Sequence, residues 1–174
     1  QMSKKYKTFT INEMTASLGA EIVGLDISSK LSKLALRELN RAWLDYQVLF
    51  FRDQPLTPEQ HINFTKNFGE LQGPGYMPTL DGYPNIYVQE YPTLYEGLVS
   101  DVDWHIDASF LTKPLKGAVL YSLDVPKVGG DTTWVNLYEA YELLSKPMQK
   151  LCSSLTAVHD NFHKNLINVL NTYG

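Results

Sequence analysis

The stretch "YQVLFFRDQPLTPEQHINFTKNFGEL", Tyr46 to Leu71, sets a short apolar run directly ahead of a segment with helix-start signals. Val48 to Phe51 carries no polar residue, which predicts a strand buried on both faces. In "TPEQ", Thr57 and Gln60 form a capping-box pattern and Pro58 suits the first helical position, with Gly69 as the expected stop. Working outward, Leu36, Leu39, Trp43 and Tyr46 recur at helical spacing behind Ser32, a candidate cap. Still further upstream, "YKTFTI" and "AEIVGLDI" alternate like short strands around Gly19 and Gly24. Downstream, the Gly- and Pro-rich stretch from Leu71 to Pro84 reads as loop, and "NIYVQEY" as another strand. Strands are also expected at Gly117–Asp124, at "TTWV" and at "LTAVHD". The segment "NLYEAYELLS" reads as a helix with Asn136 and Glu139 as its capping box. Many short strands, with helices clustered before and between them, fit an α+β chain on an antiparallel sheet or barrel better than alternating βαβ units.

The chain has 174 residues, enough for a single domain with a real core. A net charge of −4 and the lack of any basic stripe argue against nucleic acid as a partner. No apolar run reaches membrane-spanning length, and "QMSKKYKTFT" lacks the apolar centre of a signal peptide, so no membrane partner is expected. Cys152 is alone, which excludes a disulfide framework and suggests a reducing, cytoplasmic setting. The expected partner is a small-molecule substrate; association into homo-oligomers is left open.

The residues that could carry chemistry are few. Only four histidines occur. His61 falls on a helix with its own apolar stripe, His159 in "TAVHD" and His163 in a polar tail. None has a second ligand at a convincing spacing, so each reads as structural. His105, in "WHIDASF" (Trp104–Phe110), differs because Asp107 follows two residues later. In a strand, residues i and i+2 face the same side, so imidazole and carboxylate could converge on one point. Such a pair matches the start of a 2-His-1-carboxylate triad, the arrangement that leaves positions open on non-haem Fe(II). Trp104 and Phe110 could form a dry shell around it or simply be core aromatics.

Taken in order, "LGAEIVGLDI", "YQVLFFRDQPLTPEQHINFTKNFGEL", "WHIDASF", "VPKVGGDTTWVNLYEAYELLS" and "AVHDNF" resemble the N-terminal half of the TauD/TfdA family of Fe(II)- and 2-oxoglutarate-dependent dioxygenases. The resemblance runs from about Leu18 to Phe162. It implies a double-stranded β-helix (a jelly roll, cupin-like) with flanking helices, in one domain spanning residues 1–174. It also implies His105 and Asp107 as iron ligands and catalytic residues, and Thr132 of "GGDT" as a hydrogen-bond partner of a 2-oxoglutarate carboxylate. The expected cofactor is Fe(II), with 2-oxoglutarate and O₂ as cosubstrates. Tyr76, Asp101 and Ala108 are the candidates for lining the substrate space.

The chain also departs from the family pattern. The family's third ligand, a distal histidine, and the arginine that follows it have no counterpart here; the last arginine is Arg52. The jelly roll is therefore expected to be C-terminally incomplete, with the natural chain continuing past Gly174. A non-catalytic jelly-roll binding module is the alternative, and a zinc hydrolase would require a third protein ligand. Where the taurine-oxidising members carry a sulfonate-binding histidine, this chain reads "QGPGYMPTL"; where they carry an asparagine, it has Asp101. An added carboxylate would repel an anionic headgroup unless a cation screens it, so taurine is expected to be a poor substrate.

Overall fold

The helices begin where their caps place them. Ser32 accepts a hydrogen bond from Ala35 N–H at 3.1 Å and starts α1 (Lys33–Tyr46). Thr57 and Gln60 close a reciprocal capping box on α2 (Pro58–Thr65), with Pro58 in its first turn. These two helices belong to a computed structural model that describes residues 6–73, 78–89, 104–129 and 131–160. The remaining elements are strands β1 (Thr10–Glu13), β2 (Ala20–Val23), β3 (Leu49–Phe50), β4 (Thr79–Leu80) and β5 (Tyr83–Tyr87), then helices α3 (Leu137–Glu142) and α4 (Lys146–Ser154).

β1 and β2 form an antiparallel hairpin, Thr10 facing Val23 and Glu13 facing Ala20. Gly19 sits at φ +90°, a conformation glycine adopts without steric cost, and accepts Met14 N–H at 2.9 Å. β3 then pairs with β2 in parallel, Ala20 facing Leu49. A parallel neighbour requires a crossover, and α1 supplies it. One strand–helix–strand unit is thus built into a mixed three-stranded sheet, where the alternating pattern favoured an antiparallel frame. β4 and β5 form a separate hairpin across Asp81–Gly82, inside the stretch expected to be loop.

α1 packs on the sheet through Ala35, Glu38, Leu39 and Ala42. Leu36, Trp43 and Tyr46 lie to the flanks, half-buried. The expected stripe is therefore rotated, because alanines allow closer approach of helix and sheet than bulkier side chains. Phe9, Ile22, Ile27, Leu39, Ala42 and Phe64 form the buried cluster, with Phe51, Leu56, Phe68 and Val119 packed on its edge. α2 stops at Thr65, short of Gly69, because side chains take up its last carbonyls. Thr65 donates to His61 O at 2.7 Å, and Asn67 donates to Asn63 O and Phe64 O.

Glu38 is buried yet satisfied: it accepts both Lys7 and Thr8 backbone N–H groups and the Thr8 hydroxyl at 2.7 Å. The Thr8 hydroxyl, and after it those two N–H groups, hold its carboxyl below the ordinary value of 4.5, against an upward pull from burial. A carboxylate depressed in the folded state adds stability above its unfolded pKa, and that stability is lost as pH falls through the folded one. Glu38→Gln should accordingly be less stable than the parent at pH 7, with the gap closing on acidification well below pH 4.5. Urea midpoints at pH 7 and pH 3 measure this, and a gap constant with pH would refute it.

The later segments attach to this frame at a few points. Lys116 Nζ donates to Phe68 O, His61 Nε2 bonds to Val119 O at 2.9 Å, and Tyr121 Oη accepts Leu56 N–H at 3.1 Å. Trp134 meets Phe50 edge-on at 5.6 Å. Gly117–Asp124, Thr132–Val135 and Leu155–Asp160 were expected as strands and form no ladder among the described residues. A strand is completed by a neighbour's hydrogen bonds, and among the described residues no neighbour supplies them here. The double-stranded β-helix expected for the chain is correspondingly not laid out in these residues. α4, which was not anticipated, follows Ser145 and carries Pro147 in its first turn.

Candidate functional site

Asp107 to Phe110 forms a turn, directly after Trp104, His105 and Ile106, which carry no regular structure, rather than the strand that would have placed the pair on one face. Ser109 N–H donates to Ile106 O at 3.4 Å and Leu111 N–H to Ala108 O at 3.1 Å. Ala108 takes φ +50°, in the left-handed region that costs an L-residue about 1–2 kcal/mol. This turn still brings the expected pair together: His105 Nε2 lies 3.1 Å from Asp107 Oδ1. The two side chains are 62% and 69% exposed.

That spacing bears on metal binding. Two ligands at about 2.1 Å from a metal, on adjacent corners of an octahedron, stand roughly 3 Å apart. A nitrogen and a carboxylate oxygen at 3.1 Å fit that requirement, and both are donor types suited to Fe(II). Among the described residues no group of three or more His, Cys, Asp or Glu side chains gathers to hold a metal. The pair therefore offers two donors, as the spacing in the sequence implied.

Thr132 is exposed, two residues before Trp134, and is not hydrogen-bonded to the His105–Asp107 pair. Its segment is anchored further on, where Asn136 Nδ2 donates to Ser17 O at 2.9 Å and Asn136 Oδ1 caps α3 by accepting from Tyr138 and Glu139 N–H. The expected return bond from Glu139 is replaced, because the Ser17 hydroxyl donates to the Glu139 carboxylate. Ala108 is half-buried within the turn itself. Trp104 and Phe110 are both exposed, so neither acts as a core aromatic among the described residues. Tyr76, Asp101 and His163 lie outside the described residues.

His61 is structural, as its position on a helix suggested: it holds Val119 and tilts against Tyr121. His159 is more telling. Its Nδ1 lies 2.9 Å from Ser109 Oγ, two residues beyond Asp107. No local pattern could have shown this, since the contact spans fifty residues of sequence.

Residues 10–170 match the model of the family described as "Taurine catabolism dioxygenase TauD, TfdA family". The chain belongs to the TauD/TfdA family. Among curated TauD/TfdA-like relatives, an "Alkylsulfatase" of Acinetobacter baylyi is 33% identical over 87% of this chain and 47% of its own length. An "Alpha-ketoglutarate-dependent sulfate ester dioxygenase" of Pseudomonas putida is 30% identical over 87% of the chain and 49% of its own length. Among solved structures, a taurine dioxygenase from Burkholderia xenovorans superposes with a TM-score of 0.69 at 32% identity, over 85% of this chain and 52% of that one. The chain spans about half the length of the curated relatives it matches.

Proposed function

We propose that the protein carrying this chain is an Fe(II)- and 2-oxoglutarate-dependent dioxygenase of a small organic substrate, built on the family's double-stranded β-helix. The observation that carries this reading is the 3.1 Å convergence of His105 Nε2 and Asp107 Oδ1 in a chain of the TauD/TfdA family. His105 and Asp107 would hold the iron through a neutral imidazole and a carboxylate, two donors that leave room for a cosubstrate. When bound, the iron supplies O₂-dependent oxidation of a substrate C–H bond coupled to conversion of 2-oxoglutarate into succinate and CO₂, one oxygen atom going to the substrate and the other to succinate. The Thr132 hydroxyl would donate to a cosubstrate carboxylate and help orient it. Tyr76, Asp101 and Ala108 would line the substrate space and keep water from the reacting carbon.

The relatives' names point to small organic anions, sulfate esters and phenoxypropionate among them. The histidine-free "QGPGYMPTL", where the taurine-oxidising members carry a sulfonate-binding histidine, argues against taurine itself. Succinate release that depends on added Fe(II), scored across sulfate esters, sulfonates and aryloxy acids, tests the reading. No succinate with any of them would count against it.

Thr132→Val should weaken 2-oxoglutarate binding and leave metal binding intact. Losing one hydrogen bond to a charged group costs about 1.5–3 kcal/mol, or roughly ten- to a hundredfold in affinity. An unchanged cosubstrate titration would reduce Thr132 to a connecting residue.

A further inference from the structure

The geometry points to His159 as a positioning residue: we propose that its hydrogen bond to Ser109 holds the turn that presents Asp107 beside His105. The inference rests on the reading of His105 and Asp107 as iron ligands. Three observations lead to it. Ala108 occupies the left-handed region directly between Asp107 and Ser109, so the turn is strained at the residue following the carboxylate. Such a conformation persists only where surrounding contacts over-determine it. The side chains of His105 and Asp107 are mostly exposed, so close packing does not fix their orientation. The contact of His159 Nδ1 with Ser109 Oγ, at 2.9 Å, supplies a tether from a distant part of the chain.

The bond is tolerant in its chemistry. A hydroxyl both donates and accepts, so either imidazole tautomer can bond to Ser109. Ligand donors misplaced by about an ångström lose much of their grip on a metal, and supporting contacts around a metal site typically govern ten- to a hundredfold in affinity. His159 itself is not a third ligand on this view, because no cluster of three metal-binding side chains gathers among the described residues.

The test uses Mn(II), a redox-inert stand-in for Fe(II), titrated into the whole protein and followed by the electron paramagnetic resonance signal of the free ion. His159→Phe and Ser109→Ala should each weaken Mn(II) binding about ten- to a hundredfold. The double variant should be no weaker than the more affected single one, since both remove the same bond. His159→Asn, whose amide can reach the Ser109 hydroxyl, should remain close to the parent. Should His159→Phe not fold, Ser109→Ala, which deletes a single oxygen, carries the test. Unchanged Mn(II) affinity in Ser109→Ala, alongside lost binding in His105→Ala, would overturn the positioning role and leave the iron reading standing. A parent protein that does not bind Mn(II), or a His105→Ala variant that binds it undiminished, would overturn the iron reading and this inference with it.

Discussion

His105→Ala should bring Fe(II)-dependent succinate release down to the level of the metal-free protein. His105 directly precedes the turn that carries Asp107, and their donor atoms sit 3.1 Å apart. Removing the imidazole leaves Asp107 as the one donor of this pair, and with the expected distal histidine only two ligands would remain, too few to hold the metal in place. Changes to residues that merely support a ligand cost about 10–100-fold, so loss of a ligand should exceed that range. Iron content after desalting, measured together with succinate release, reads the effect. The contrasting substitution is His61→Gln. His61 holds Val119 O rather than a ligand, so this variant should retain iron. A His105→Ala protein with full turnover would remove the basis of the proposed function.

Leu39→Ala should be the most damaging change to the frame. Leu39 is fully buried on α1 and belongs to the cluster with Ile22, Ile27 and Phe64. Truncation removes buried methyl groups and leaves a cavity that the parallel β2–β3 pair and α2 close only in part. Comparable changes cost about 2–5 kcal/mol, a large share of the roughly 5–15 kcal/mol by which a domain is stable. Chemical denaturation of parent and variant measures the difference. A loss below about 1 kcal/mol would mean that the site collapses readily and that the core is centred elsewhere.

The two halves of the fold were not equally legible in the sequence. Ser32, Thr57 with Gln60, and Asn136 all cap the helices they announced, because a cap is decided within four residues. α4 carried the same signals, Ser145 and Pro147, and could have been read from them. The parallel placement of β3 was not legible, since alternation marks a strand's faces without naming its neighbour. Nor did strand-like composition at Gly117–Asp124 produce a ladder. At the site, the spacing of His105 and Asp107 pointed to their convergence although the local structure is a turn, because a tight bend and a pleat can both bring i and i+2 side chains together. Thr132 entered only through the family resemblance, and the reach of His159 to Ser109 through no sequence signal at all.

Among the described residues the buried cluster draws on Phe9 through Phe64, with Phe68 and Val119 the later side chains packed at its edge. Leu123, Val128 and Val158, by contrast, stand open to solvent among the described residues. Among the described residues, the buried frame and the proposed metal pair thus lie on different stretches of chain. Among the described residues, the later stretch meets this frame through Lys116, Val119, Tyr121 and Trp134. Changes at the His105–Asp107 pair should therefore alter metal binding well before they loosen the capped helices and the mixed sheet.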